Sequence, residues 1–274
     1  MENKKKSFVV KALFVTFLII LLAIEVLHAI LKFDDNLYLM LSRFAGGGAC
    51  LAFMIEFSFT RVLCPIGNKK PLLWLLALPG LVIAVNNFPF ISFFSGSCNV
   101  NFDIGSILFF ALVCLGVGFF EEMAFRGCAF MLILKGRTQS RGAIFLSIVI
   151  SSAVFGLVHF INVFFGASPI AVLLQIGYSA LIGALCSMVL LLTRNIWICV
   201  ILHASYNFCG GLIDNCGVGV QWIPAQMIFT AVVAIAVAVY FIVVFLKMPT
   251  RLSVELFEND VPQSGLDVAS GEND

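Results

Sequence analysis

ILFFALVCLGVGFFEEMAFRGCAFMLIL, residues 107–134, is an apolar run interrupted by three charges, Glu121, Glu122 and Arg126. As a helix it is long enough to cross a ~30 Å hydrocarbon core. Each charge at membrane depth costs roughly 2.5–3.5 kcal/mol on insertion scales, so the three need partners, water or a chemical task. Arg126 stands one turn from Glu122 and is placed to neutralise it. Glu121, about 100° round the helix, has no such local partner. An unpaired carboxylate at that depth is a functional-site hypothesis by default.

The rest of the chain agrees with a membrane setting. Of 274 residues, 61% are hydrophobic and 11% charged, with mean hydropathy +1.09. A soluble protein would carry about a quarter charged residues. Apolar runs of spanning length fall near 8–31, 37–60, 71–95, 104–134, 142–165, 168–193, 195–213 and 220–247. The first is too long for a signal peptide and contains Glu25, so it reads as a retained span. The fold class is therefore an all-α polytopic helix bundle of about eight spans. Residues 1–247 form the membrane domain, with a catalytic core near 104–213. The tail, 248–274, reads as an acidic disordered extension: from Glu255 onward it holds six acidic residues and no basic one.

Loop charges test the span count. Lys4–Lys6, then Arg61, Lys69 and Lys70, then Lys135, Arg137 and Arg141, then Arg194, then Lys247 and Arg251 fall on one side. Lys32, Asp34, Asp35, Arg43, Asp103 and Asp214 fall on the other. This alternation puts both termini in the cytoplasm. The expected location is the plasma membrane of a bacterium. The nine cysteines lie mostly within spans and read as free thiols, while Cys98 and Cys216 share one side and are candidates for pairing. Small residues at Ser179 and Gly183, and at Ala180 and Ala184, suit close packing of the sixth span. Gly46-Gly47-Gly48 marks either a close approach or a local break.

Three histidines occur in the chain. His28 ends the first span and is expected at the interface. Phe155 precedes His159 by one turn in the fifth span. His203 and Asn207 lie one turn apart in the seventh and can face one cavity. Singly, each suits a hydrogen bond between helices, and Glu122–Arg126 suits a structural ion pair. Together they make a hydrated pocket in a dry protein, suited to hydrolysis of a peptide bond. A carboxylate shielded from bulk water is a better general base than a surface one. Glu121 is thus expected to deprotonate water, with His159 orienting that water or sharing the proton and His203 and Asn207 donating to the oxyanion, each donor worth about 10²–10³ in rate. Counted at ~1.5 Å per residue from the nearest basic loop, the three ionisable groups stand at unequal depths: about 21 Å for Glu121, 27 Å for His159 and 13 Å for His203. Metal-independent water activation, with no cofactor, is favoured. Zinc on Glu121, His159 and His203 is the alternative, although H-E-x-x-H is absent.

E-E-x-x-x-R (Glu121, Glu122, Arg126), F-x-x-x-H (Phe155, His159) and H-x-x-x-N (His203, Asn207), in that order on separate spans, resemble the CPBP family. These are intramembrane endopeptidases related to type II CAAX prenyl proteases, with bacterial bacteriocin-immunity and peptide-processing members. The resemblance covers about 121–207. It implies proteolytic roles for Glu121 and His159, an oxyanion side at His203 and Asn207, and support from Glu122 and Arg126. Members are described both as metalloproteases and as glutamate-dependent proteases. The expected partners are a membrane-associated protein or peptide substrate and membrane lipids, not nucleic acid. The rival readings are an ion- or proton-coupled transporter and a non-catalytic immunity or scaffold protein. Paired Gly/Pro-broken helices in two halves, which would flag a transporter, are not evident.

Overall fold

The computed structural model describes residues 2–31, 35–67 and 69–257. The side chains of Lys4–Lys6, Glu25, His28, Lys32, Asp34 and Asp35, and the tail over 258–274, lie outside the described residues.

The chain opens with α1 (Glu2–Leu31) and α2 (Asp35–Glu56). The run expected as one span over 71–95 is instead three short helices: α3 (Pro71–Ala77), α4 (Pro79–Asn86) and α5 (Phe90–Phe94). Proline is the reason, since Pro79 and Pro89 have no N–H with which to continue the helical ladder. Broken backbone at membrane depth is tolerated where other groups satisfy it. Here the Ile91 N–H donates to Gln226 Oε1 at 2.7 Å, and the Leu76 carbonyl accepts from the Tyr240 hydroxyl at 3.0 Å.

Next come α6 (Ile104–Glu122), an eight-residue π-helical segment (Met123–Phe130) and α7 (Met131–Leu134), which together make one continuous rod. Asp103 caps its start, accepting from the Ser106 N–H at 2.9 Å and hydroxyl at 2.5 Å. The remaining elements are α8 (Arg141–Val158) with a 3₁₀ turn (His159–Val163), α9 (Pro169–Thr193), α10 (Ile196–Cys216), α11 (Pro224–Lys247) and α12 (Arg251–Val254). Among the described residues six helices are long and apolar enough to cross a membrane, and Phe8–Ile24 and Pro71–Asn86 are shorter apolar stretches. The expected eight spans thus resolve into six full-length candidates and two short ones. The protein is an all-α polytopic helix bundle.

The helix α9 is its central staff, with every residue from Leu185 to Thr193 buried. Close approaches at glycine seat the other rods. A Cβ at Gly118 of α6 would lie 2.9 Å from the Val200 carbonyl and 3.0 Å from the Ala204 nitrogen of α10. One at Gly156 of α8 would meet the Ile176 carbonyl of α9 at 2.6 Å, and one at Gly183 of α9 would meet Ser152 at 3.2 Å. Gly46 and Gly47 do mark a close approach, not a break: α2 is continuous there, and Phe120 and Phe119 of α6 fill the space.

One end of the bundle gathers the basic loops. Trp197 Nε1 donates to the Leu63 carbonyl at 2.9 Å, Asn195 Nδ2 to that of Pro65 at 2.6 Å, and Arg194 pairs with Glu255 at 3.5 Å. The disordered tail expected from 248 is packed as far as Phe257. Leu252 and Leu256 are buried, Ser253 Oγ donates to the Thr138 carbonyl at 2.5 Å, and Arg141 donates to the Leu246 and Met248 carbonyls. At the other end, β1 (Cys98–Val100) and β2 (Gly217–Gly219) form an antiparallel ladder with Cys98 opposite Gly219 and Val100 opposite Gly217. This register corrects the expected Cys98–Cys216 pairing. It sets Cys216 across from residue 101, about 10 Å along the strand from Cys98 at ~3.3 Å per residue, beyond disulfide reach. Both thiols are free.

Candidate active site

Helix α6 delivers Glu121 and Glu122 at its last two positions, and α10 delivers His203 between them. His203 Nδ1 lies 2.7 Å from Glu122 Oε1, and Nε2 lies 3.3 Å from Glu121 Oε2. Glu121, which has no partner within its own helix, therefore finds one on another. Gly118 explains why the contact forms. Lying one turn before Glu122 and buried against the backbone of α10, it lets the two rods close to carboxylate–imidazole distance.

The expected pair within the helix is present as well, with Arg126 Nη1 at 3.1 Å from Glu122 Oε1. The Arg126 guanidinium also stacks over the Phe155 ring at 4.3 Å. Phe155 stands edge-on to both imidazoles, 5.2 Å from His159 and 5.7 Å from His203. It is a hinge of apolar contact between α8 and the charged cluster.

Burial separates the two acids. The Glu122 side chain is 0% exposed and that of Glu121 17%, so solvent reaches Glu121 and not its neighbour. Glu121, His159, His203 and Asn207 line one cavity of about 500 Å³. The unequal depths counted along the helices did not keep them apart. Helices start at different heights, and the π-helical turns after Glu122 rise less per residue. None of the described residues at the basic end lines the cavity.

His159 Nδ1 is 3.0 Å from the Phe155 carbonyl. A carbonyl only accepts, so that nitrogen carries the hydrogen and a neutral ring presents a bare Nε2. Both nitrogens of His203 face carboxylates, which leaves no N–H for an oxyanion. Asn207 has no side-chain hydrogen bond among the described residues and keeps its amide for the cavity. Glu121, His159 and His203, the residues that would hold zinc in the alternative reading, all line the recess, and Glu122 holds the far nitrogen of His203 as a carboxylate behind a ligating imidazole would.

Reading the sequence missed the neutral polar groups in the same wall: Asn162, Gln175, Tyr178 and Tyr206. A signal was present. Gln175 and Tyr178, three apart in an apolar span, share a face, and Asn162 follows His159 by one 3₁₀ turn.

Fold and site together define a membrane-embedded helical protein built around a carboxylate–imidazole cluster. Residues 103–209 match a family model, "Type II CAAX prenyl endopeptidase Rce1-like". That match covers the segment that carries the cluster and supports the resemblance to the CAAX/CPBP intramembrane proteases that the three motifs indicate. No curated protein and no solved structure matches the chain.

Proposed function

We propose that the protein is an intramembrane endopeptidase in which Glu121 activates water against a peptide bond. The observation that carries this is the His203 imidazole held between a sealed acid and a solvent-reached one at the cavity wall. His203 sets one nitrogen on each acid and Arg126 pairs with Glu122, so the buried acids have polar and charged partners, which lowers the cost of burying the cluster.

In this scheme Glu121 Oε2 rests on His203 and its second oxygen takes a proton from water. The hydroxide adds to the scissile carbonyl. His159 Nε2 accepts a hydrogen bond from the same water and fixes its line of approach. The Asn207 amide donates to the oxyanion, the task expected of both Asn207 and His203. Glu121 then returns its proton to the leaving amine, so no net proton is consumed. No step calls on a metal or other cofactor.

The substrate is a membrane-associated protein or peptide, since the apolar walls of the recess suit a chain arriving from lipid. Nothing in the scheme requires a prenyl group, and a bacterial peptide precursor would serve. We place both termini in the cytoplasm of a bacterial cell. Support comes from Arg61, Lys69, Lys70, Lys135, Arg137, Arg141, Arg194, Lys247 and Arg251, all in the loops or at the helix ends that border them.

Comparing the N-termini of membrane proteins in cells expressing the wild type and Glu121→Gln tests the reading. New N-termini should appear with the wild type alone. The same set generated by an inserted, folded Glu121→Gln protein would eliminate Glu121 as base.

A further inference from the structure

We propose that Asn162 and Gln175 form a subsite that hydrogen-bonds the substrate backbone about two residues from the scissile bond. The inference rests on the endopeptidase reading and adds to it the part of the recess that holds the chain.

A segment cut within a membrane must first leave its helix, and each backbone N–H or C=O left bare in an apolar site is costly. The cavity therefore has to replace those bonds. Its α1 wall, Val15, Leu18, Ile19, Leu21 and Leu22, has no polar side chain to offer. The wall formed by the 3₁₀ turn and α9 does. Asn162 Nδ2 donates to Gln175 Oε1 at 2.7 Å, and both residues line the recess.

That bond uses one N–H and one acceptor position. Asn162 keeps its carbonyl oxygen and a second N–H, and Gln175 keeps both N–H groups, none of them bonded among the described residues. A donor and an acceptor thus lie side by side, as on the edge of a β-strand, which is the pattern that captures an extended peptide.

Position supports the same role. In the 3₁₀ turn His159–Val163, residues three apart eclipse, so Asn162 stands over His159 about 6 Å further on at ~2.0 Å per residue. At ~3.3 Å per residue of extended chain, that is about two residues from the attacked carbonyl. The turn does not depend on the amide pair for its shape. Its backbone is already closed by the Phe165 and Ala167 N–H groups donating to the Asn162 carbonyl at 3.2 and 3.1 Å.

The test uses full-length protein in proteoliposomes. The probes are the peptide spanning the most abundant wild-type cleavage site and a series of it with one backbone amide at a time replaced by ester. Asn162→Leu and Gln175→Met should each raise KM about tenfold, with kcat and melting temperature little changed. One ester, about two residues from the cut, should lower wild-type kcat/KM about tenfold and leave Asn162→Leu nearly unaffected, a coupling that a merely structural bond would not produce. Unchanged KM in both variants, or ester effects identical in wild type and Asn162→Leu, would overturn the subsite while leaving Glu121 as base. If Asn162→Leu does not accumulate, the KM of Gln175→Met, which keeps length and shape, decides. Absence of any wild-type cleavage would instead remove the endopeptidase reading, and the subsite with it.

Discussion

Glu121 and Glu122 are adjacent and chemically identical, yet their surroundings give them different work. Glu122 is sealed, sharing one oxygen between Arg126 and His203, whereas Glu121 faces the recess. Removing the cation beside a buried acid leaves an uncompensated charge, typically a loss of about 3–5 kcal/mol. Arg126→Ala should therefore lower abundance and melting temperature sharply in detergent. The double variant Arg126→Met/Glu122→Gln should be more stable than Arg126→Ala, because neither charge remains. Arg126→Lys should not restore the wild type, since an ammonium lacks the planar fork that pairs with Glu122 while stacking on Phe155. If Arg126→Ala were as abundant and as heat-resistant as the wild type, the ion pair would have no structural role.

Among elements, the contact of α6 with α10 matters most, and Gly118 sets its spacing. A Cβ there would press on backbone atoms, which cannot swing aside as a side chain can. Gly118→Leu should part the rods and abolish cleavage, with a smaller loss for Gly118→Ala, measured as kcat/KM beside melting temperature. Gly48→Ala is the control: a Cβ there meets nothing within 4 Å, and a glycine removed from mid-helix is neutral to stabilising by up to about 1 kcal/mol. Retained activity in Gly118→Leu would refute the spacing argument. At the start of α6, the Ser106 hydroxyl and N–H hold the Asp103 carboxyl below its usual range. A lowered folded pKa contributes stability above the unfolded value, and this is lost as pH falls through the folded one. Amide exchange in the first turn of α6 should accordingly quicken only at pH below the ordinary aspartate range, and Asp103→Ala should remove that dependence.

For the whole molecule, the gathering of cations at one end makes orientation measurable with a native residue. Cys64 is an exposed free thiol in the loop beside Arg61. A membrane-impermeant maleimide should label it in inverted vesicles and not in intact cells, with Cys64→Ser as control; labelling of intact cells would reverse the orientation. How far the sequence could be read depended on the range of the forces involved. Hydropathy, the i,i+4 pairing of Glu122 with Arg126 and the shared faces of Phe155 with His159 and of His203 with Asn207 are local, so composition and helical periodicity by themselves determined the bundle and named the charged cluster. Other features arise between segments far apart in the chain. They include the imidazole set between two acids, the split of the run 71–95 with freed backbone groups bonded to α11, the packed segment up to Phe257, the separation of Cys98 from Cys216 and the Asn162–Gln175 pair. Tertiary structure alone decided these, because which helices approach, and at what height, is set by backbone contact at glycine and by the satisfaction of buried polar groups, neither of which has a period along the sequence.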